Sequence, residues 1–305
     1  MTHPTSTPLR MAAVLVLAVA AFVPAACGSA PEGESLAGST NAHGARLDPV
    51  LHGLLPQSVK DLGVLRVGTD ASYAPMSAFG PDGRTIIGME PDLGVEIGRV
   101  LGVRLEFVSS DFDKLLADVG HGDLDLAISA MTDTPERAKT ADFVNYFTAG
   151  TSILVRRGNP AGITELVDLC GKAVAVERGT TQVDLLAQTQ KGCGTERILV
   201  KTYLTNSDAL VQLRTGRAVA VLTDLPPAVL LVNDERTKSQ YQLASNAQYA
   251  PGLYGIVVAK TEPDLREAVR GALTVLLRSG VYADVLSRWH VQSGAVQQIT
   301  VNSNR

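Results

Sequence analysis

Leu126-Ala127-Ile128-Ser129-Ala130-Met131-Thr132-Asp133-Thr134-Pro135-Glu136-Arg137 is the stretch that decides the architecture. An apolar run, Leu126 to Ile128, empties into small residues, hydroxyls and an arginine. A buried strand that ends this way delivers polar groups to a sheet edge, and in open α/β sheets ligands bind beyond the carboxyl ends of the strands. Thr134 suits a helix N-cap and Pro135 the first helical position. The stretch thus gathers backbone N–H groups, hydroxyls and a guanidinium. All are donors, and such a set suits a carboxylate.

Outward from it, strands and helices alternate. Leu65-Arg66-Val67 reads as a strand that breaks at Gly68, and Pro81-Asp82-Gly83 as a turn. A helix is expected from about Asp92, with Leu93, Ile97, Val100 and Leu101 at helical spacing and Gly102 as its stop. Val103 to Val108 alternates like a strand. Phe112, Leu115, Leu116 and Val119 mark a helix ending at Gly120. Before all of these, Leu47 to Lys60 reads as a short helix with Leu51, Leu54 and Leu55 on one side. The βαβα order implies a mostly parallel sheet with helices on both faces.

The pattern then repeats. Ala173 to Val176 is a strand that opens into Glu177-Arg178-Gly179-Thr180-Thr181-Gln182 and a helix carrying Val183 and Leu186. Ala209, Leu210 and Leu213 mark a helix stopped by Gly216, and Ala218 to Leu222 is a buried strand ending in Thr223-Asp224. Helix, glycine, apolar strand and Thr-Asp describe both Leu115–Asp133 and Ala209–Asp224, so two lobes of like architecture are expected. A strand at Tyr254 to Ala259, a long helix from Pro263 to Arg278 and a last amphipathic piece around Tyr282 and Trp289 complete the chain.

Composition narrows the function. The 305 residues are enough for one large or two ordinary domains. A net charge of −4 argues against nucleic acid or an anionic membrane surface as the main partner, and 5% aromatics against a stacking platform. The histidines, at positions 3, 43, 52, 121 and 290, are scattered, and no sequence pattern pairs a nucleophile with a base. No metal or other cofactor is expected.

The N-terminus has a leader. Arg10 precedes an apolar run, Met11 to Val23, too short to span a bilayer, and Pro24-Ala25-Ala26 lead into Cys27. Residues 1–26 read as a signal peptide. Cys27-Gly28-Ser29 after small residues resembles the lipobox of bacterial lipoproteins, which implies cleavage before Cys27 and lipid on its thiol. Residues 27–46 form a polar tether without hydrophobic period. With Cys27 lipidated, Cys170 and Cys193 remain, and an oxidising compartment favours a disulfide between them over free thiols or a metal site.

Leu65-Arg66-Val67-Gly68-Thr69-Asp70-Ala71-Ser72-Tyr73-Ala74-Pro75 resembles the first strand and loop of the amino-acid-binding solute-binding proteins of bacterial ABC importers. So do Gly88-Met89-Glu90-Pro91-Asp92-Leu93, Asp125 through Thr132 with Glu136 and Arg137, and Gly179-Thr180-Thr181-Gln182, a match spanning about Leu55 to Trp289. Pro91 departs from the pattern, at a position usually apolar and non-proline.

The resemblance implies a two-lobed, periplasmic-binding-protein-like α/β fold. Each lobe is a mostly parallel sheet flanked by helices. Two crossovers are expected, near Ile153–Arg156 and Gln248–Leu253. Lobe one would be built from residues 47–154 and 250–305, and lobe two from 155–249. Arg137 matches the arginine that holds a ligand α-carboxylate, and Asp224 the acid that pairs with the α-ammonium. Thr132, the Ala130 carbonyl and the Thr181 hydroxyl match further ligand contacts. Tyr73 matches an aromatic wall, and Met89 is placed among the ligand-binding positions. Asp70 and Glu177 would face the ligand side chain, where two acids favour a basic or polar group. The implied function is capture of a free amino acid by a monomer, anchored by lipid to the outer face of the membrane, and delivery to an ABC permease. Two alternatives stay open. One is a dehydratase-like enzyme on the same fold with Glu177 as general acid; the other is a ligand-sensing subunit for a signalling partner.

Overall fold

Two short helices, α1 (Pro49–Gly53) and α2 (Gln57–Leu62), open residues 45–303, the part of the chain described by the computed structural model. The leader, Cys27 and the tether up to residue 44 lie outside the described residues. The expected single helix over Leu47–Lys60 is split because Pro56 sits at the N-cap of α2, where a helix must end. Strand β1 (Val64–Thr69) follows. A small antiparallel sheet comes next, made of β2 (Ser72–Tyr73), β3 (Ser77–Phe79) and β4 (Ile86–Ile87). The chain continues through α3 (Met89–Leu101), β5 (Arg104–Ser109), α4 (Leu115–His121), β6 (Leu126–Ala127) and a long β7 (Ala141–Arg156). Beyond it come β8 (Ala173–Glu177), α5 (Thr181–Thr189), β9 (Leu199–Tyr203), α6 (Asn206–Arg214), β10 (Ala220–Asp224) and α7 (Leu225–Asn233). The last elements are β11 (Tyr241–Leu243), β12 (Tyr249–Ala259), α8 (Pro263–Ser279), α9 (Val281–Arg288) and β13 (Thr300–Val301).

The main sheet runs in the order β5-β1-β6-β12-β7-β10-β8-β9, with β11 and β13 also paired to β7. Its flanks are parallel trios, β5-β1-β6 and β10-β8-β9. Its middle is antiparallel. Strand β7 pairs with β12 over residues 141–151 and with β10 over 151–155, so one strand belongs to both halves of the sheet. The two lobes are thus halves of a single curled, mixed sheet, each half carrying its own parallel trio.

The hydrophobic cores divide at the same place. One set centres on Leu65, Val67, Leu93, Ile97, Leu126, Tyr146 and the buried face of α8 and α9, with a satellite around Phe112, Leu115 and Phe143. The other centres on Ile153, Val174, Val176, Leu186 and Leu222, with a satellite around Leu154, Leu213 and Val221. Few large side chains belong to both, so the middle of β7 joins two separately packed bodies. Among the described residues no helix is long and apolar enough to cross a membrane.

Helix α3 begins at Met89, three residues before the expected start, and Pro91 falls in its first turn. The first four N–H groups of a helix have no intrahelical partner, so proline loses nothing there. The preceding Gly88 has φ +146° at the N-cap, and a Cβ there would lie 2.0 Å from the Met76 carbonyl oxygen. Glycine is therefore required where α3 abuts β3.

Candidate functional site

Two pairs of parallel strands, β1 with β6 and β8 with β10, one pair in each half of the sheet, end at one place. The residues at their carboxyl ends are Asp70 after β1, Ser129 and Ala130 after β6, Glu177 at the end of β8 and Asp224 at the end of β10. They line a cavity with about 320 Å³ of empty space, its mouth included. Tyr73, Phe112, Thr132, Arg137, Thr180, Thr181 and Gln182 complete the wall.

Ala130 has φ +47°, an uncommon conformation for a residue with a side chain. A buried acid holds it there: the Ala130 N–H donates to Glu90 Oε1 at 2.6 Å. Glu90 is fully buried and also accepts from Ser77 Oγ at 2.6 Å and from the Tyr146 hydroxyl. Burial pushes its carboxyl above the usual range, against the pull of these three donors.

Arg137 starts a single 3₁₀ turn, Arg137–Lys139, where the Thr134-Pro135 signal predicted a helix. The chain enters β7 at Ala141, which leaves no room for more turns. The guanidinium donates from Nη1 to the Thr132 carbonyl and from Nη2 to the Gly179 carbonyl, each at 2.8 Å, and its carbon lies 5.5 Å from the centre of the Phe112 ring. Gly179 belongs to the other half of the sheet, so Arg137 spans the cleft. Burial lowers its pKa to about 10, while Asp184 and Asp224 pull it back up. Two of its five N–H groups are spent on carbonyls, and the fork borders the cavity with donors left over.

Asp224 is the N-cap of α7, with Pro226 in the first turn. Its carboxylate accepts from Tyr254 Oη at 2.6 Å, Gln182 Nε2 at 2.6 Å and Tyr73 Oη at 3.0 Å. The Tyr73 oxygen in turn accepts from the Asp224 N–H at 3.0 Å and from Thr223 Oγ1 at 3.1 Å. Burial raises Asp224 to about 6; the two tyrosines, Gln182 and the charge of Arg137 all oppose that rise. The same burial, with Asp224 beside them, pushes both tyrosines well above their ordinary value.

Asp70 and Glu177 face the cavity from opposite halves, each only 5% exposed. The Asp70 N–H donates to Ser129 Oγ at 2.9 Å, which ties the ends of β1 and β6 together. Burial first, then Asp70, raises the Glu177 carboxyl well above the carboxylate range. Thr181 is the first residue of α5, and Thr180 before it donates its hydroxyl to the Glu177 carbonyl at 2.7 Å. The start of α5 therefore borders the cavity from the second half.

The structure brings Asp70, Tyr73, Ala130, Thr132, Arg137, Glu177, Thr181 and Asp224 to one cavity. Met89 is not among them. It is fully buried in the first core at the start of α3, with its N–H on the Pro75 carbonyl at 2.9 Å. Phe112, Ser129, Thr180 and Gln182 line the cavity without having been singled out. The Gly179–Gln182 motif contained two of these four; Phe112 carried only a helix-face signal. Cys170 and Cys193 form a disulfide with a Cα separation of 5.4 Å, in the second half.

Residues 65–292 match the family model of bacterial extracellular solute-binding proteins, family 3. The chain is 31% identical over 238 residues to the L-cystine-binding protein TcyJ of Escherichia coli K12, a match covering 78% of this chain and 86% of that protein. It is 28% identical over 258 residues to the arginine-binding protein ArgT of Corynebacterium glutamicum, covering 83% of each. Among solved structures, a P235GK mutant of ArgBP from T. maritima superposes with a TM-score of 0.69 at 33% identity, covering 76% of this chain and 97% of that one.

Proposed function

The chain belongs to family 3 of the bacterial extracellular solute-binding proteins, and we propose that it captures a free amino acid, polar or basic, between its two lobes. The observation that carries this reading is the pairing of Arg137 and Asp224 at one cavity, one from each half of the sheet. An α-amino acid presents a carboxylate and an ammonium a few ångströms apart. Arg137 offers a planar fork to the first, and Asp224 a buried carboxylate to the second. Asp70 and Glu177 remain for the side chain, and acids there favour a donor-rich group. The relatives named for cystine and for arginine agree with a polar or basic ligand.

In this reading lobe one comprises residues 47–154 and 250–305, lobe two comprises 155–249, and the strands β7 and β12 bend between them. The ligand favours the closed form because it contacts both lobes at once. Closure expels water and strengthens both charge pairs. A total of roughly −8 kcal/mol, or micromolar affinity, is within reach of two charge pairs and a few hydroxyl contacts. Lipid on Cys27 would hold the protein at the outer face of the membrane, where the closed form delivers its ligand to an ABC permease.

Isothermal calorimetry against the common L-amino acids tests the reading. Binding of arginine, lysine, cystine or glutamine with one site per chain is expected, and its loss in Arg137→Ala. Binding restricted to glutamate and aspartate, or unchanged affinity in Arg137→Ala, overturns it. The raised Glu177 carboxyl is also what a general acid needs, so a dehydratase is the second reading. An enzyme consumes its ligand, whereas a binding protein returns it unchanged on denaturation.

A further inference from the structure

Asp70 and Glu177 each leave one carboxylate oxygen without a donor. Asp70 Oδ1 accepts from the Ser72 N–H at 2.8 Å, but Asp70 Oδ2 and Glu177 Oε1 are buried and receive no hydrogen bond. Both acids line the same cavity, one from each half of the sheet, and their carboxyl groups lie within hydrogen-bonding reach of each other. An unsatisfied buried oxygen is costly, and two facing carboxylates cannot both stay ionised without a countercharge.

Among the described residues no cation supplies that countercharge. The other ionisable groups that act on Glu177 are Asp224 and Asp113, both acidic, and Glu177 in turn acts on the Tyr73 phenol. Arg178 is next in sequence, but it donates to Asp113 at 2.5 Å. Arg137 donates to two carbonyls, and the acids that act on it are Asp184 and Asp224, not this pair. On the Asp70 side the neighbours are the Ser72 N–H and the Ser129 hydroxyl, neither of them charged.

We propose that Asp70 and Glu177 share one proton across the cleft in the empty protein, and that a cationic group of the ligand takes the place of that proton on binding. The second half rests on the amino-acid reading above; the first does not. The exchange balances: the shared carboxyl O–H breaks, its proton goes to solvent, one positive charge enters, and the net charge of the cavity is unchanged. Proton and ligand therefore compete for the same pair of oxygens.

The first half is tested on the empty protein by titrating ¹³C-labelled Asp and Glu carboxyls by NMR. Wild type is expected to show one more carboxyl titrating above the ordinary range than Glu177→Gln does, with Asp70→Asn as a second variant that also loses it. Equal numbers in wild type and both variants overturn the shared proton. The second half is tested by calorimetry with L-arginine in buffers of differing ionisation enthalpy. Wild type is expected to release about one proton per arginine, and its affinity to fall about tenfold per pH unit on the acid side. At pH 7.5, above the Asp224 transition near 6, Glu177→Gln is expected to release none, and to keep only the pH dependence that Asp224 contributes below about 6. Arginine binding without proton release overturns the exchange. If another amino acid binds and L-arginine does not, the exchange falls and the amino-acid reading stands. If no amino acid binds, that reading falls, and the carboxyl titration still decides the shared proton.

Discussion

Tyr254 donates its hydroxyl hydrogen to Asp224 across 2.6 Å, and the bond ties β12 to the start of α7. With Tyr73 and Gln182 it satisfies a carboxylate that burial would otherwise neutralise. These donors lower the cost of the charge without removing it, since the pKa still stands at about 6 against an ordinary 3.8. A carboxyl raised on folding contributes its full stability below the ordinary value and loses it as pH rises through about 6. At neutral pH the empty protein therefore carries a penalty of roughly 3 kcal/mol at this site. Asp224→Asn keeps the shape, and Gln182 can turn its amide to match. The empty variant is expected to equal or exceed wild-type stability at neutral pH, with the difference shrinking toward about pH 4. Amino-acid affinity is expected to fall at least about a hundredfold, because the α-ammonium would lose its buried partner. Urea unfolding across pH, beside calorimetry, checks both.

Strands β1, β6, β8 and β10 and the ends that meet at the cavity were legible because apolar runs emptying into glycine, threonine and aspartate are strong local signals. What joins the trios was not. Strand β7 is buried along almost its whole length on both faces, so its sequence shows no alternation, and Asn145, Thr148 and Gly150 interrupt the apolar run that would have marked it. Helix α7 was hidden by Pro226 and Pro227, which read as a turn yet sit harmlessly in a first helical turn. Strand β9 lies at the sheet edge and is mostly exposed, so it carries no burial pattern. At the site, eight of the residues that line the cavity were legible from motifs, and Phe112 was not. Those that support them were not: Tyr254 lies 30 residues from Asp224, and Glu90 lies 40 from Ala130. Only the fold brings such pairs together.

Glu90 is the support most open to test. It holds the Ala130 N–H, and Ala130 cannot relax without moving the strand end that carries the cleft. Glu90→Ala leaves that N–H and two hydroxyls without their acceptor and opens a cavity. A stability loss on the order of 3 kcal/mol is expected, together with weaker ligand binding. Glu90→Gln retains an acceptor for Ala130 and Tyr146 and is expected to recover most of both. Thermal denaturation and calorimetry on the pair of variants separate the hydrogen bond from the charge.

The Cys170–Cys193 bond closes a loop with a sequence separation of 23. A loop of that length corresponds to roughly 3 kcal/mol of chain entropy removed from the unfolded state. The double serine variant is expected to unfold at a correspondingly lower urea concentration. Its ligand affinity is expected to be unchanged, because neither cysteine borders the cavity. Adding a reductant should lower the wild-type midpoint toward that of the variant and leave the variant where it is.

Gly179 is where closure of the cleft meets the backbone. It has φ +77°, and a Cβ added to it would lie 2.7 Å from the Cβ of Asp113, in the other half of the sheet. Its carbonyl also receives Arg137. Gly179→Ala therefore carries two penalties: left-handed backbone strain of roughly 1 kcal/mol, and a steric block between the halves. The strain acts whether the cleft is open or closed, and the block only when it is closed. A drop of at least about tenfold in affinity is expected, larger than the loss in stability of the empty protein accounts for. Asp113→Gly removes the opposing Cβ. The double variant is expected to regain affinity relative to Gly179→Ala, even though Asp113→Gly alone loses the Arg178 ion pair. A cycle with no such recovery would show that the alanine acts through local strain alone and that Gly179 and Asp113 do not meet on closure.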